Sequence, residues 1–287
     1  MILKKFIELV KRDGVYAATK KAFLYVGDII KSNCMRFLYV HFSVEGKIHR
    51  RRIYLSNMLF KKLNGVVGYG PFKGFRLGDK FKWGRADAGS MLLGFYEKEI
   101  MESLVAASKT HKTFIDLGGA DGYFSVGCLA GKLFDYTYCY EISEKSRENI
   151  EYCARLNDVS ERLSIFGQAT TDFYRQIQAA DVDLSNCVLL CDIEGGEFNV
   201  FNEHTFRAFQ GATILIEIHE WHKNGIENYA KLKYEASKFF RVTELTMGSR
   251  DLSKYPEVSH FHDSDRWLLC SEGRGQLMKW LKLESLN

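Results

Sequence analysis

A glycine-rich turn with an acidic residue near each end follows a predicted strand over residues 113–117. Its residues with candidate binding roles are Asp116, Gly118, Gly119, Asp121 and Tyr123. The two glycines have no side chains, so a ligand can lie against the backbone there. A helix is expected to begin near Tyr123, with its free N–H groups facing the same point. The turn therefore predicts a ligand site at the carboxyl end of this strand.

A carboxylate follows the next predicted strand, over residues 136–140. Glu141 lies about 20 residues beyond the glycine turn, the spacing at which an acidic residue binds ribose hydroxyls. Ile142 comes directly after it and is expected to share the site. Together the turn and the carboxylate predict a nucleoside-containing cofactor at the carboxyl ends of two adjacent parallel strands.

The glycines and the acids indicate which cofactor this is. A dinucleotide site requires Gly-x-Gly-x-x-Gly, and neither Gly118 nor Gly119 begins such a series. Carboxylates would repel a pyrophosphate, whereas they attract the cationic sulfonium and amino group of S-adenosylmethionine. We therefore predict S-adenosylmethionine as the cofactor. A strand–turn–helix unit with a purely structural glycine pair is the alternative.

Acidic residues and a histidine follow two later predicted strands, over residues 187–192 and 212–218. They are Asp192, Glu194, Glu217 and His219. Each pair lies on one face of its strand, and adjacent strands would bring the pairs into contact range. One interpretation is a general base, His219 or Asp192, with the other carboxylates holding the acceptor. The alternatives are a Mg²⁺ or Mn²⁺ ion bound by Asp192, Glu217 and His219, and plain capping of the following helix.

Several of these segments resemble the FkbM-like family of class I S-adenosylmethionine-dependent methyltransferases. The glycine turn with Glu141 is similar to the cofactor site of that class. Residues 192–197, Asp-Ile-Glu-Gly-Gly-Glu, resemble the Asp-x-Glu-Gly-x-Glu signature of the family, although Glu197 falls in a predicted first helical turn, where acids are favoured anyway. Residues 93–99 and 217–219 also look like the family.

The resemblance implies further cofactor contacts and an activity. Gln168 and Ala169 close the third predicted strand, where this class contacts the adenine, and Tyr96 and Glu97 match positions near the methionine moiety. Family members methylate hydroxyl groups of sugars, lipopolysaccharide parts and macrolides. The resemblance thus implies an O-methyltransferase acting on a sugar or glycan. The alternatives are a ribose methyltransferase acting on nucleic acid and a non-catalytic protein that binds S-adenosylmethionine.

Nucleic acid is not the expected acceptor. The chain has two prolines, Pro71 and Pro256, and therefore lacks the Asp/Asn-Pro-Pro-Tyr loop used to methylate the amino groups of bases. This absence argues against amine methylation and leaves ribose methylation open.

From about residue 90 the predicted strands and helices alternate, which indicates an α/β fold with helices on both faces of the sheet. We expect a doubly wound, mostly parallel, seven-stranded sheet of the Rossmann-like class I methyltransferase type, with its last two strands antiparallel. Strands are predicted near 113–117, 136–140, 162–166, 187–192, 212–218, 241–246 and 266–270. Helices are predicted near 91–107, 123–131, 143–156, 171–178, 197–208 and 227–239, with a short docking helix over 277–286.

The first part of the chain differs from the rest in charge. Residues 1–85 hold 19 Lys and Arg against 5 Asp and Glu, whereas the remainder holds 21 against 31. We expect residues 1–88 to form a basic extension, helical over 2–31 and with a hairpin around Glu45-Gly46-Lys47, and residues 89–287 to form the methyltransferase domain.

The basic extension predicts contact with an anionic membrane or a phosphorylated glycan, with Arg50-Arg51-Arg52 as a candidate phosphate site. Attraction between the two oppositely charged parts of the chain is the alternative. No apolar run reaches the roughly 18 residues that span a bilayer, and no signal peptide is visible. Seven scattered cysteines without a Cys-x-x-Cys pair favour reduced thiols. We therefore expect a cytoplasmic protein, peripheral at the inner face of the membrane.

Overall fold

The computed structural model describes residues 43–81, 84–221 and 224–286, together with residues 35 and 41. Spatial contacts divide the chain into two units, residues 1–51 and residues 52–287. The second unit thus includes residues 52–88, which the sequence analysis placed in the basic extension. None of the helices in the described ranges has both the length and the apolar character needed to cross a membrane.

The amphipathic helix predicted over residues 2–31 lies outside the described residues. The contact of this basic region with an anionic membrane or a phosphorylated glycan therefore stays a prediction.

A seven-stranded sheet forms the centre of the second unit. Its strands are β1 (Thr113–Leu117), β2 (Tyr136–Tyr140), β3 (Leu163–Phe166), β4 (Cys187–Cys191), β5 (Thr213–Ile218), β6 (Phe240–Thr246) and β7 (Lys279–Ser285). Their order is β3-β2-β1-β4-β5-β7-β6; β1 to β5 are parallel, and β7 is antiparallel to both β5 and β6. The chain reverses its direction of winding between β1 and β4, the place where such sheets bind ligands. The order confirms the predicted fold class.

Helices cover both faces of the sheet. The described helices are α1 (Val44–Lys62), α2 (Ala88–Leu92), α3 (Lys98–Ala107), α4 (Tyr123–Ala130), α5 (Glu144–Leu156), α6 (Tyr174–Gln178), α7 (Glu197–Val200), α8 (Glu203–Ala208), α9 (Gly225–Ser237) and α10 (Asp263–Cys270). Successive strand residues point to opposite faces, so Val188 and Leu190 belong to one apolar core and Leu189 and Cys191 to another. Two cores, one on each face, hold the carboxyl ends of the strands in place.

The first six predicted strands lie within one residue of the observed bounds, but the predicted hairpin and the continuous helix predicted over 91–107 are wrong. Helix α1 occupies the region of the predicted hairpin, which is therefore wrong from residue 44 onward. The buried positions of α1 recur at helical spacing: Arg52, Leu55, Ser56 and Leu59. The helix predicted over 91–107 is interrupted between α2 and α3, where Gly94 and Glu97 have positive φ angles of 70° and 45°.

Two predictions for the C-terminal part of the chain give the wrong type of secondary structure. The strand predicted near 266–270 is helix α10, and the docking helix predicted over 277–286 is strand β7. Asp263 and Asp265 lie in the first turn of α10, where carboxylates stabilise a helix. The antiparallel pairing of the last two strands is confirmed, although their connection runs over residues 247–278.

Arg52 is buried in the second unit and pairs with Asp87. Its side chain is only 4% exposed, and its guanidinium donates to the Asp87 carboxylate. A phosphate-binding role is therefore wrong for Arg52, because its charge is already matched by the partly buried Asp87.

Replacing Arg52 with Ser should lower the free energy of unfolding by about 1–3 kcal/mol, because the partly buried Asp87 would lose its charged partner. The matched change Arg51→Ser, at the exposed neighbouring position, should alter it by less than about 0.5 kcal/mol. Urea unfolding followed by circular dichroism measures both values. Equal stabilities of the two variants would contradict this account of the pair.

Candidate active site

The turn after β1 has a backbone that only glycine adopts readily. The φ angle is 99° at Gly118 and 85° at Gly122, and a Cβ atom on Gly118 would overlap the carbonyl oxygen of Asp192. The N–H of Gly118 donates to the carbonyl of Tyr140 at 2.8 Å, and the N–H of Asp192 donates to that of Leu117 at 2.9 Å. The turn therefore joins the ends of β1, β2 and β4.

A cavity of about 850 Å³ opens beside this turn. All the residues predicted to bind the cofactor line it: Glu97, Asp116, Gly118, Gly119, Asp121, Tyr123, Glu141, Ile142, Gln168, Ala169 and Asp192. Its lining contains no lysine or arginine among the described residues. The carboxylates give the cavity a negative character, which suits a positively charged ligand.

Backbone N–H groups orient the carboxylate of Glu141. Ala120 donates to its Oε2 at 2.9 Å, and Ser143 donates to its Oε1 at 2.7 Å. Each oxygen keeps a further lone pair that can accept from a ligand hydroxyl. Asp121 has a different task, because its Oδ2 accepts from the N–H of Gly84 at 2.8 Å and so ties that segment to the cavity wall.

Two buried polar atoms of the lining have no hydrogen-bond partner within the described part of the chain. They are the hydroxyl of Tyr123 and Oδ1 of Asp192. Asp116 is also buried, and the hydroxyl of Ser125 donates to it. Burial raises the pKa of Asp116 to about 7, and the charges of Asp192 and Glu141 act in the same direction. A cationic ligand would stabilise the ionised form of this carboxyl.

A second pocket of about 490 Å³ shares Tyr96, Asp192 and Glu194 with the cavity. Three groups of residues complete its lining. They are Glu217, His219 and Trp221 at the end of β5, Glu272 and Arg274 in the segment before β7, and Gly275, Gln276 and Met278 of the same segment. The shared residues place the two spaces next to each other, which is the arrangement needed for transfer between two ligands.

His219 is held by a fully buried carboxylate. Its Nδ1 lies 3.0 Å from Oε1 of Glu197, and its backbone N–H donates to the same oxygen at 2.9 Å. The other oxygen of Glu197 accepts from the N–H of Gly195 at 2.8 Å. With Nδ1 donating to the carboxylate, the neutral ring presents Nε2 as an acceptor.

Nε2 of His219 faces the remaining predicted catalytic residues. It lies 3.5 Å from Oδ1 of Asp192, 3.5 Å from Oε2 of Glu194 and 3.8 Å from Oε2 of Glu217. Burial by itself would lower the pKa of His219, but the hydrogen bond and charge of Glu197, and then Asp192, outweigh it and raise the pKa. The structure thus brings all four predicted catalytic residues together around an imidazole suited to accept a proton.

Arg274 neutralises the other buried acids of the site. Its guanidinium pairs with Glu97, Glu217 and Glu272. Burial raises the pKa of Glu97 to about 8, an effect that Arg274 opposes. Burial, with the charges of Asp192 and Glu97, raises the pKa of Glu217 to about 11. These carboxyls are therefore ready to change protonation when the charge beside them changes.

Four residues of the site are not predicted from the sequence: Glu197, Trp221, Glu272 and Arg274. Glu197 was visible in the quoted signature but was assigned to helix capping. Glu272 and Arg274 precede β7, a strand that was predicted as a helix, so nothing in the predicted topology brought them to the site. Trp221 follows His219 by two residues, and that proximity was the available signal.

Residues 162–273 match the family model of the methyltransferase FkbM domain. The match confirms the resemblance found in the sequence. Over these residues the chain is similar to an FkbM methyltransferase domain, which supports S-adenosylmethionine-dependent methyl transfer. The glycine turn and Glu141 lie before the matched range, and the sheet joins them to it through the pairing of β1 with β4.

Solved structures with a similar fold are distant in sequence. A precorrin-6Y C5,15-methyltransferase from Geobacter metallireducens is 8% identical, with 74% of this chain and 97% of that chain covered and a TM-score of 0.43. The corresponding putative domain from Corynebacterium diphtheriae is 17% identical, with 66% and 98% covered and a TM-score of 0.38. TYW2 from P. horikoshii is 13% identical, with 73% and 67% covered and a TM-score of 0.39. No curated protein matches the chain.

Changing Gly118 to Ala should weaken S-adenosylmethionine binding by more than about tenfold, because a side chain at this φ angle strains the turn and displaces Asp192. Calorimetric titration measures the affinity, and urea unfolding shows whether the variant still folds. The matched change Gly167→Ala is expected to leave the affinity unaltered, since a Cβ there meets no neighbour. A folded Gly118→Ala protein with normal affinity would contradict the role given to this turn.

Proposed function

We propose that this methyltransferase transfers the methyl group to a hydroxyl of a sugar or glycan. The observation that carries the proposal is the position of His219. Glu197 orients this histidine, which lines the pocket of about 490 Å³ next to the acid-lined cavity. We call this pocket the acceptor pocket.

The larger cavity fits S-adenosylmethionine, which supplies a methyl group activated by a positively charged sulfur. Glu141 would accept from the ribose hydroxyls, and Gln168 with Ala169 would lie at the adenine. Glu97 and Asp116 would face the cationic methionine end. The hydroxyl of Tyr123 and Oδ1 of Asp192 would gain the hydrogen-bond partners that they lack within the described residues.

A hydroxyl acceptor must lose its proton when it gains a methyl group. Nε2 of His219 is suited to take that proton, since Nδ1 already donates to Glu197. The carboxylate of Glu197 would then stabilise the imidazolium that forms. Asp192 and Glu194, each 3.5 Å from Nε2, are placed to accept from acceptor hydroxyls and so to hold the reacting oxygen near the imidazole.

Trp221 supports a sugar acceptor. Its side chain is 49% exposed, lines the pocket and stands edge-on to the ring of His219, with 4.8 Å between the ring centroids. Sugars combine apolar C–H faces with hydroxyl donors, and the pocket combines an aromatic ring with carboxylate acceptors. The same carboxylates would repel the phosphates of a nucleic acid, which speaks against the ribose alternative.

A divalent cation on Asp192, Glu194 and His219 is a second way to remove the proton. One ligand atom from each lies within 4.8 Å of the others, and a histidine backed by a buried carboxylate is typical of metal ligands. A bound cation would lower the pKa of the acceptor hydroxyl. The sequence predicts Glu217 as a ligand of this cation, but its carboxylate pairs with Arg274 instead.

Replacing His219 with Gln should lower the rate of methyl transfer by about 10²–10⁴-fold, the usual contribution of a general base. Cofactor affinity should change little, because His219 lines only the acceptor pocket. Transfer of labelled methyl groups to a panel of glycans, with calorimetry of the cofactor, measures both. The control is His204→Gln, at an exposed position on α8.

Full activity of the His219→Gln variant would remove His219 from both versions of the mechanism. Loss of wild-type activity on chelation, with recovery on addition of Mg²⁺ or Mn²⁺, would select the metal version. Activity that is insensitive to chelation would select the base.

A further inference from the structure

We propose that the acceptor pocket selects a neutral sugar and excludes anions, so that any phosphate or carboxylate on the acceptor stays outside it. The proposal rests on the proposed function and goes beyond it by assigning the charge of the group that enters.

The lining of the pocket is rich in acidic residues. Four acidic residues line the pocket: Asp192, Glu194, Glu217 and Glu272, of which the last two pair with Arg274. Glu194 is the most exposed of the carboxylates around the imidazole, with 79% of its side chain accessible, and it lies 3.5 Å from Nε2 of His219. An anionic substituent next to the reacting oxygen would therefore meet an exposed carboxylate.

The arginine that lines the pocket already pairs with acidic residues of the protein. Among the described lining residues Arg274 is the one cation, and it donates from three nitrogens. Nε bonds Glu272 at 3.0 Å, Nη1 bonds Glu217 and Nη2 bonds Glu97. A phosphate could recruit Arg274 only by leaving buried carboxylates without their partner, which is costly.

Arg250 contacts Glu272 of the pocket lining and also pairs with acidic residues. Its two terminal nitrogens bond Glu99 at 2.7 and 2.9 Å, and one of them also lies 3.5 Å from Glu272. It is 9% exposed, so it offers no charge to a ligand in the pocket. The guanidinium groups on this side of the site thus serve the protein's own acids.

A neutral sugar can use both the hydrogen-bond acceptors and the apolar surface of the pocket. Carboxylates accept hydrogen bonds from hydroxyls without an opposing charge on the ligand. Trp221 and Met278 add apolar surface for the C–H faces of the ring. The pocket therefore satisfies a polyhydroxyl ligand, whereas an anion would lose more by repulsion than it gains.

The test measures binding of matched sugars to the full chain saturated with S-adenosylhomocysteine. The probes are glucose, mannose and galactose, each compared with its 6-phosphate, by saturation-transfer NMR at millimolar concentrations. The pocket signal is defined as the part lost in Trp221→Ala. The neutral member of at least one pair should bind about tenfold more tightly than its phosphate, the scale expected for a like-charge contact.

Reversing one charge should reverse the preference. In Glu194→Lys the phosphate should bind at least as tightly as the neutral sugar, whereas Glu151→Lys, an equal charge change at an exposed site on α5, should keep the wild-type order.

The proposal is overturned if a sugar phosphate gives the stronger Trp221-dependent signal in the wild type, or if no neutral sugar of the panel gives one. Failure of S-adenosylhomocysteine to bind would instead refute the proposed function, so the two failures can be told apart.

Discussion

The burial of acidic side chains at one edge of the sheet is the constraint on which the rest of this structure depends. The acids concerned are Glu97, Asp116, Glu197 and Glu217, each less than 5% exposed. A buried carboxylate costs several kcal/mol unless it is paired or protonated. Each of these acids has a partner. Arg274 pairs with Glu97 and Glu217, His219 with Glu197, and the hydroxyl of Ser125 donates to Asp116.

The C-terminal segment contributes to the site because it supplies Arg274, the partner of Glu97 and Glu217. Strand β7 inserts between β5 and β6, and the residues before it deliver Arg274 to the carboxyl end of β5. Gly273, with a φ angle of 68°, lets this segment pass against the guanidinium of Arg52. Strain is also present on the other side, because Glu97 and Glu194 have positive φ angles. Such conformations persist where surrounding contacts enforce them, commonly at functional sites.

The sequence predicted the cofactor half of the site better than the acceptor half. The glycine turn and the carboxylate after β2 are local features, and regular alternation of strands and helices is enough to bring them together. Arg274 reaches the site only through the position of β7, and the short apolar run over residues 267–270 fits a strand as well as a helix. Glu197 was ambiguous for another reason, since an acid in a first helical turn can cap the helix or, as here, hold a histidine.

The central claim is that this acidic cavity holds a positively charged cofactor. Calorimetric titration in buffers of different ionisation enthalpy counts the protons exchanged on binding. Burial raises the pKa of Asp116 to about 7 and that of Glu97 to about 8, and a nearby cation favours their ionised forms. S-adenosylmethionine should therefore release protons near neutral pH, and more of them than S-adenosylhomocysteine, whose sulfur is uncharged. Equal release by both ligands, or proton uptake with S-adenosylmethionine, would contradict the account.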